Sequence, residues 1–133
     1  MESKKLKRNK DTGNLFIKYY KSFGHSVDGI IYAIENEINI LFMMLWALIA
    51  LALCFFLNVN TTELCLVVIC TGVFMACELI NCAIEATIDL VTLEIHPLAK
   101  IGKDCASGAT LIVMFAYIFV IGIIFIPKII ALF

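Results

Sequence analysis

Glu78, Asn81, Glu85 and Asp89 lie inside one long apolar run, and they are the residues of this sequence best placed to do chemistry. At about 100° per residue on a helix they fall near 0°, 300°, 340° and 20°, so they share one narrow stripe. From Glu78 to Asp89 the stripe is about 16 Å long at a rise of 1.5 Å per residue. A single carboxylate at bilayer depth costs at least about 2.5 kcal/mol on insertion scales, so three of them require compensating partners or cations. Seams that only glue helices together generally use uncharged Ser, Thr, Asn or Gln. A carboxylate in this setting can instead act as a general base toward a substrate hydroxyl. Others nearer the membrane surface can hold Mg²⁺ against nucleotide phosphates, because that ion takes a few carboxylate oxygens plus phosphate and water.

The polar segment that follows supplies the complementary charges. Residues 92–104 read as a charged loop containing Glu94, His96, Lys100, Lys103 and Asp104. Lys103 can neutralise a phosphate, and Asp104 can help hold a metal or a nucleotide. The sequence has no G-x-x-x-x-G-K-[ST] loop, no G-x-G-x-x-G loop and no protein-kinase motif set. Phosphoryl transfer here would therefore draw its charge stabilisation from metal and lysine rather than from a phosphate-cradling loop.

These residues have to be positioned by membrane helices. The 133-residue chain is 62% hydrophobic with a mean hydropathy of +1.01, far more apolar than soluble domains, which are roughly 45–50% apolar. Residues 1–14 read as a polar, basic cytoplasmic tail, and residues 15–133 as one membrane domain. Over 15–36 apolar residues recur at helical spacing among polar ones, which predicts an amphipathic helix lying at the membrane surface. Three spans are expected at about 38–57, 63–91 and 106–126. The run from Ile40 to Leu57 carries no charge, and eighteen residues at 1.5 Å each cross roughly 27 Å, close to the hydrocarbon thickness.

Basic residues set the orientation. Lys4, Lys5, Lys7, Arg8, Lys10, Lys18 and Lys21 crowd the start, Lys100 and Lys103 sit in the second connection, and residues 58–62 have none. This predicts a cytoplasmic N-terminus and an external C-terminus, with Lys128 snorkelling at a helix end. The six cysteines form no C-x-x-C pair and read as small apolar packing residues. The basic start leads into a polar, aromatic stretch rather than a short apolar core, so no cleavable signal peptide is expected. Two further readings of the stripe stay open on these grounds: a small proton-coupled exporter and a non-enzymatic assembly subunit.

The pattern Glu78-x-x-Asn81-x-Ala83-Ile84-Glu85-x-x-x-Asp89 is followed by His96-Pro97-Leu98-Ala99-Lys100-x-x-Lys103-Asp104-x-Ala106-x-Gly108-Ala109. With Lys21-Ser22-Phe23-x-His25 and Glu37-x-Asn39 upstream, it resembles the prokaryotic diacylglycerol kinase family, over about residues 18–128. The His-Pro-Leu-Ala-Lys form resembles the undecaprenol kinase branch more than the branch that phosphorylates diacylglycerol. The resemblance implies an all-α homotrimer of three-span chains in the bacterial inner membrane. Each chain would carry an N-terminal surface helix, and ATP and Mg²⁺ would be the donor system. It implies Glu78 as general base, Asn81 at the reacting centre, and Glu37 and Glu85 as carboxylates for the metal on the ATP phosphates. It further implies nucleotide contacts from Lys18, His25, Glu94, His96, Lys103 and Asp104, with Asp89 in support. Lys18 stands where the family often has arginine, and His25 where some members have tyrosine. The expected partners are a lipid alcohol, ATP, the bilayer and two further copies of the chain, with no nucleic acid. Undecaprenol is the expected acceptor, with diacylglycerol as the alternative.

Overall fold

The computed structural model describes residues 15–92, 94 and 96–133. The basic tail at 1–14 lies outside the described residues. Among the described residues four helices follow one another: α1 (Leu15–Asn36), α2 (Ile38–Phe56), α3 (Thr61–Val91) and α4 (Pro97–Ile130). There is no strand among the described residues. Of these helices α2, α3 and α4 are long and apolar enough to cross a membrane, so the protein is an all-helical, multi-pass membrane protein. The chain divides between Tyr32 and Ala33 into two compact units.

Within the first unit α1 carries Phe16, Tyr20, Phe23, Val27, Ile30 and Ile31 at helical spacing, all exposed. Such a stripe on a helix that also holds Lys18, Lys21 and His25 suits the interface between headgroups and acyl chains.

The second unit contains the spans, and local chemistry fixes where each begins and ends. Glu37 alone separates α1 from α2; its N–H still donates to the carbonyl of Ala33 at 2.9 Å, while its side chain forms no cap. The turn after α2 passes through Asn58 at φ 47°, left-handed backbone that Asn tolerates better than most residues. A capping box then starts α3. The Asn60 side chain accepts from the Glu63 N–H at 3.0 Å, and the Glu63 carboxylate accepts from the Asn60 N–H at 2.7 Å.

His96 caps α4, its Nδ1 accepting from the Leu98 N–H at 3.2 Å, with Pro97 in the first turn. Residues 97–104, read from the sequence as part of a charged loop, are therefore the first two turns of α4. The cap and the proline start the helix well before its apolar stretch. Lys128 does not simply snorkel either: its Nζ lies 3.0 Å from Glu63 Oε2.

Packing of α4 on α3 is antiparallel and in a definite register. Three pairs mark it in reverse order along the two helices. Asp89 bonds Lys103, the Phe74 and Tyr117 rings stack with centroids 5.7 Å apart, and Glu63 bonds Lys128. From Glu63 to Asp89 α3 rises about 39 Å, so the two ion pairs bracket a hydrocarbon core of roughly 30 Å. Gly102 permits close approach at the Asp89 end, because a Cβ there would stand 2.9 Å from Ile88 Cδ1. Near the turn after α2, one core of Ala50, Cys54, Leu57, Val67, Ile124 and Phe125 joins α2, α3 and α4. A second, smaller core packs Ala33 and Ile40 against Cys82.

Candidate active site

Between the two cores α2, α3 and α4 line a half-open cavity of about 850 Å³. Its polar lining is Asn39, Glu78, Asn81, Glu85, Ser107 and Thr110, with a tyrosine hydroxyl, Tyr117, among the residues deeper in. The rest is aromatic and aliphatic, including Phe42, Met43, Trp46, Phe74, Leu111, Met114 and Phe125. The polar residues gather toward the Asp89–Lys103 end of the α3–α4 register, and the apolar lining continues toward the other end. The shape suits a ligand with a small polar head and a long apolar tail.

Glu78 is the one buried charged side chain among the described residues, with 4% of its surface exposed. It makes no hydrogen bond or ion pair among them. With the Asn58 turn at one membrane surface, the rise of about 25 Å from Thr61 puts Glu78 just inside the far edge of the roughly 30 Å hydrocarbon core. Glu85 stands about 10 Å further along the axis, where Asn81 Nδ2 donates to Glu85 Oε1 at 3.2 Å. Beyond it, Lys103 Nζ donates to Asp89 Oδ1 at 2.6 Å, and Glu85 is within electrostatic reach of the same ammonium. The stripe read from the sequence thus runs from a buried carboxylate to an ion-paired one.

Glu37 comes from a different segment and is brought toward the stripe by its neighbours. Ala33 and Ile40 flank it and pack on Cys82. Glu37 is half-buried at the N-terminus of α2, where the helix dipole favours a carboxylate, and its oxygens are not spent on a cap.

The other sequence candidates are placed less centrally. Glu94, His96 and Asp104 are exposed. The Glu94 N–H donates to Thr92 Oγ1 at 3.1 Å. With His96 Nδ1 engaged by the cap, Nε2 is the ring nitrogen left to face a ligand. Lys18 and His25 lie on α1 in the first unit, where exposed His25 Nδ1 is 3.8 Å from Asp28 Oδ2.

Sequence reasoning passed over Ser107 and Thr110. They are small polar residues three apart within an apolar run, one helical turn from each other, and that spacing was the available signal.

Three apolar spans around a cavity with a buried carboxylate at its polar end make a polytopic membrane protein with a candidate site inside the bilayer. A model of the prokaryotic diacylglycerol kinase family matches residues 24–125. The chain is 38% identical over 122 residues to the undecaprenol kinase of Bacillus subtilis, covering 90% of this chain and 98% of that protein. It is 34% identical over 91 residues to the diacylglycerol kinase of Pseudomonas aeruginosa, covering 68% of this chain and 74% of that one. With the diacylglycerol kinase of Escherichia coli K12 it shares 32% identity over 104 residues, covering 78% and 84%. The chain belongs to the prokaryotic diacylglycerol kinase family, and it is a kinase that transfers phosphate to a lipid alcohol.

Proposed function

We infer that the protein phosphorylates the primary hydroxyl of undecaprenol, taking the γ-phosphoryl group of ATP. The observation that carries the inference is the buried Glu78 at the polar end of a long apolar cavity. The 38% identity to an undecaprenol kinase over almost its full length supports the choice of acceptor. Diacylglycerol, the acceptor named for the other relatives, is the competing substrate.

The lipid tail lies along the apolar lining with its hydroxyl at Glu78. As the alcohol oxygen forms its bond to the γ-phosphorus, its proton passes to the Glu78 carboxylate. The bond from that phosphorus to the β–γ bridging oxygen breaks, and ADP leaves with the electron pair. Asn81 links the reacting centre to Glu85 through the bond it donates. Lys103, aimed by Asp89, offsets charge on the transferring phosphoryl group. His96, Glu94 and Asp104 border the nucleotide at the membrane surface.

Among the described residues no cluster of three or more His, Cys, Asp or Glu side chains forms a metal cage. Mg²⁺ shared with phosphates needs only one or two protein carboxylates, and Glu37 and Glu85 supply that donor set. When bound, the ion neutralises phosphate charge and orients the donor. The basic residues at the N-terminus and at Lys100 and Lys103 favour the cytoplasmic side of a bacterial inner membrane for this site. Family membership favours a homotrimer.

The test is to give purified protein in vesicles each lipid in turn with labelled ATP and Mg²⁺. Preferential labelling of undecaprenol is expected, and a clear preference for diacylglycerol would overturn the assignment of acceptor.

A further inference from the structure

Two buried polar atoms of cavity-lining residues have no hydrogen-bond partner among the described residues: Asn81 Oδ1 and Thr110 Oγ1. Both residues line the same cavity as Glu78. The α3–α4 register places them at one level. Measured from the Asp89–Lys103 pair, Asn81 lies about 12 Å down α3 and Thr110 about 10 Å down α4, and Glu78 lies about 16 Å down. The two unpaired atoms therefore stand roughly one turn on the nucleotide side of the base, on the helices that flank the reacting centre. A hydroxyl left unbonded in a low-dielectric site carries its full desolvation cost, about 1–3 kcal/mol. Thr110 is also an unusual choice in a run that otherwise reads Ala109, Leu111, Ile112, Val113, Met114, where a Val of nearly the same shape would pack without that cost.

We propose that Thr110 is a substrate-binding residue: its hydroxyl donates to the alcohol oxygen of the lipid and holds that oxygen beside Glu78. In the resting complex the alcohol O–H donates to Asn81 Oδ1, and it turns from there to Glu78, which takes the proton as the oxygen attacks. A hydroxyl is both donor and acceptor, so the lipid alcohol satisfies both orphaned atoms at once, and an alkyl tail satisfies neither. The contact is to the alcohol oxygen, which a polyprenol and a diacylglycerol share. It does not involve ester carbonyls, which only the diacylglycerol has. This inference rests on the lipid kinase reading above.

Thr110→Val and Thr110→Ser in the full chain, reconstituted in vesicles with a polyprenol or a diacylglycerol and labelled ATP, separate the possibilities. Thr110→Val is expected to raise KM for either lipid about tenfold, as expected for one lost hydrogen bond between neutral groups. KM for ATP should not move, and the thermal midpoint should hold or rise. Thr110→Ser should restore the lipid KM. An unchanged lipid KM in Thr110→Val, a loss confined to diacylglycerol, or a fall in thermal midpoint with both KM values shifted would each overturn the assignment. Absence of labelled lipid with the wild-type protein would overturn the kinase reading as well. An active wild type indifferent to Thr110→Val would overturn this inference alone.

Discussion

Replacing Asp89 by Asn separates what an ion pair does for stability from what it does for catalysis. Asp89 Oδ1 and Lys103 Nζ are 2.6 Å apart, and the side chains are 48% and 35% exposed. Water screens a pair this open, so its contribution to stability is small. Its effect on the reaction is larger, because the pair holds an ammonium that otherwise swings on a flexible four-carbon stem carrying roughly 2 kcal/mol of rotamer entropy. Reordering Lys103 in each turnover at a cost of about 1.4 kcal/mol lowers the rate tenfold. Asp89→Asn is therefore expected to reduce kcat/KM for ATP about tenfold, as one lost positioning contact of that size, while moving the thermal midpoint little. Lys103→Met should lose about a hundredfold, on the scale of one removed charge-stabilising donor. The double variant, assayed by phosphate transfer to lipid, should be no worse than Lys103→Met alone. If the two losses multiply, Asp89 acts independently of Lys103, and the positioning role is wrong.

Three other perturbations follow from the fold. Glu63→Gln removes the charge of the Lys128 pair but keeps a side-chain oxygen that accepts from the Asn60 N–H, so it should lower the thermal midpoint only slightly. Activity should stay near normal, since the change lies about 22 Å from Glu78 along α3. Asn58→Gly should be neutral or slightly stabilising and Asn58→Val destabilising by about 1–2 kcal/mol, because φ is positive there; thermal unfolding in detergent reads both. Gly102→Ala should be tolerated, since the atom it meets is the flexible tip of Ile88, whereas Gly102→Val should prise α4 from α3 and lower activity together with stability. A Val at that position as stable and active as wild type would contradict the close approach.

Much of this was legible in the sequence because membranes impose simple rules. Charge-free runs mark spans, and carboxylates at 3- to 4-residue spacing mark one helical face. The Glu78–Asp89 stripe is a purely local pattern, and it appears in the structure as such. The start of α4 was misread because Lys100, Lys103 and Asp104 look like a loop, although His96 before Pro97 is a helix-start signal. What no local pattern contains is register. That Asp89 meets Lys103, Phe74 meets Tyr117 and Glu63 meets Lys128 is a fact about two helices together. The level of Thr110 beside Asn81 follows only from it. Glu37 stands out in the sequence only through the Glu37-x-Asn39 resemblance, and the packing of Ala33 and Ile40 on Cys82 brings it toward the stripe.

The most direct test of the central claim compares Glu78→Gln with Glu85→Gln in lipid phosphorylation by the reconstituted protein, across a titration of Mg²⁺. Glu78→Gln should lower kcat by about 10²–10⁴, the range for a lost general base, with the Mg²⁺ requirement unchanged. It should unfold no more easily than wild type, since a buried carboxylate is itself costly. Glu85→Gln should instead shift the Mg²⁺ dependence to higher concentration. Near-normal turnover in Glu78→Gln, with Glu85→Gln abolishing activity at every Mg²⁺ concentration, would contradict the assignment of Glu78 as the base.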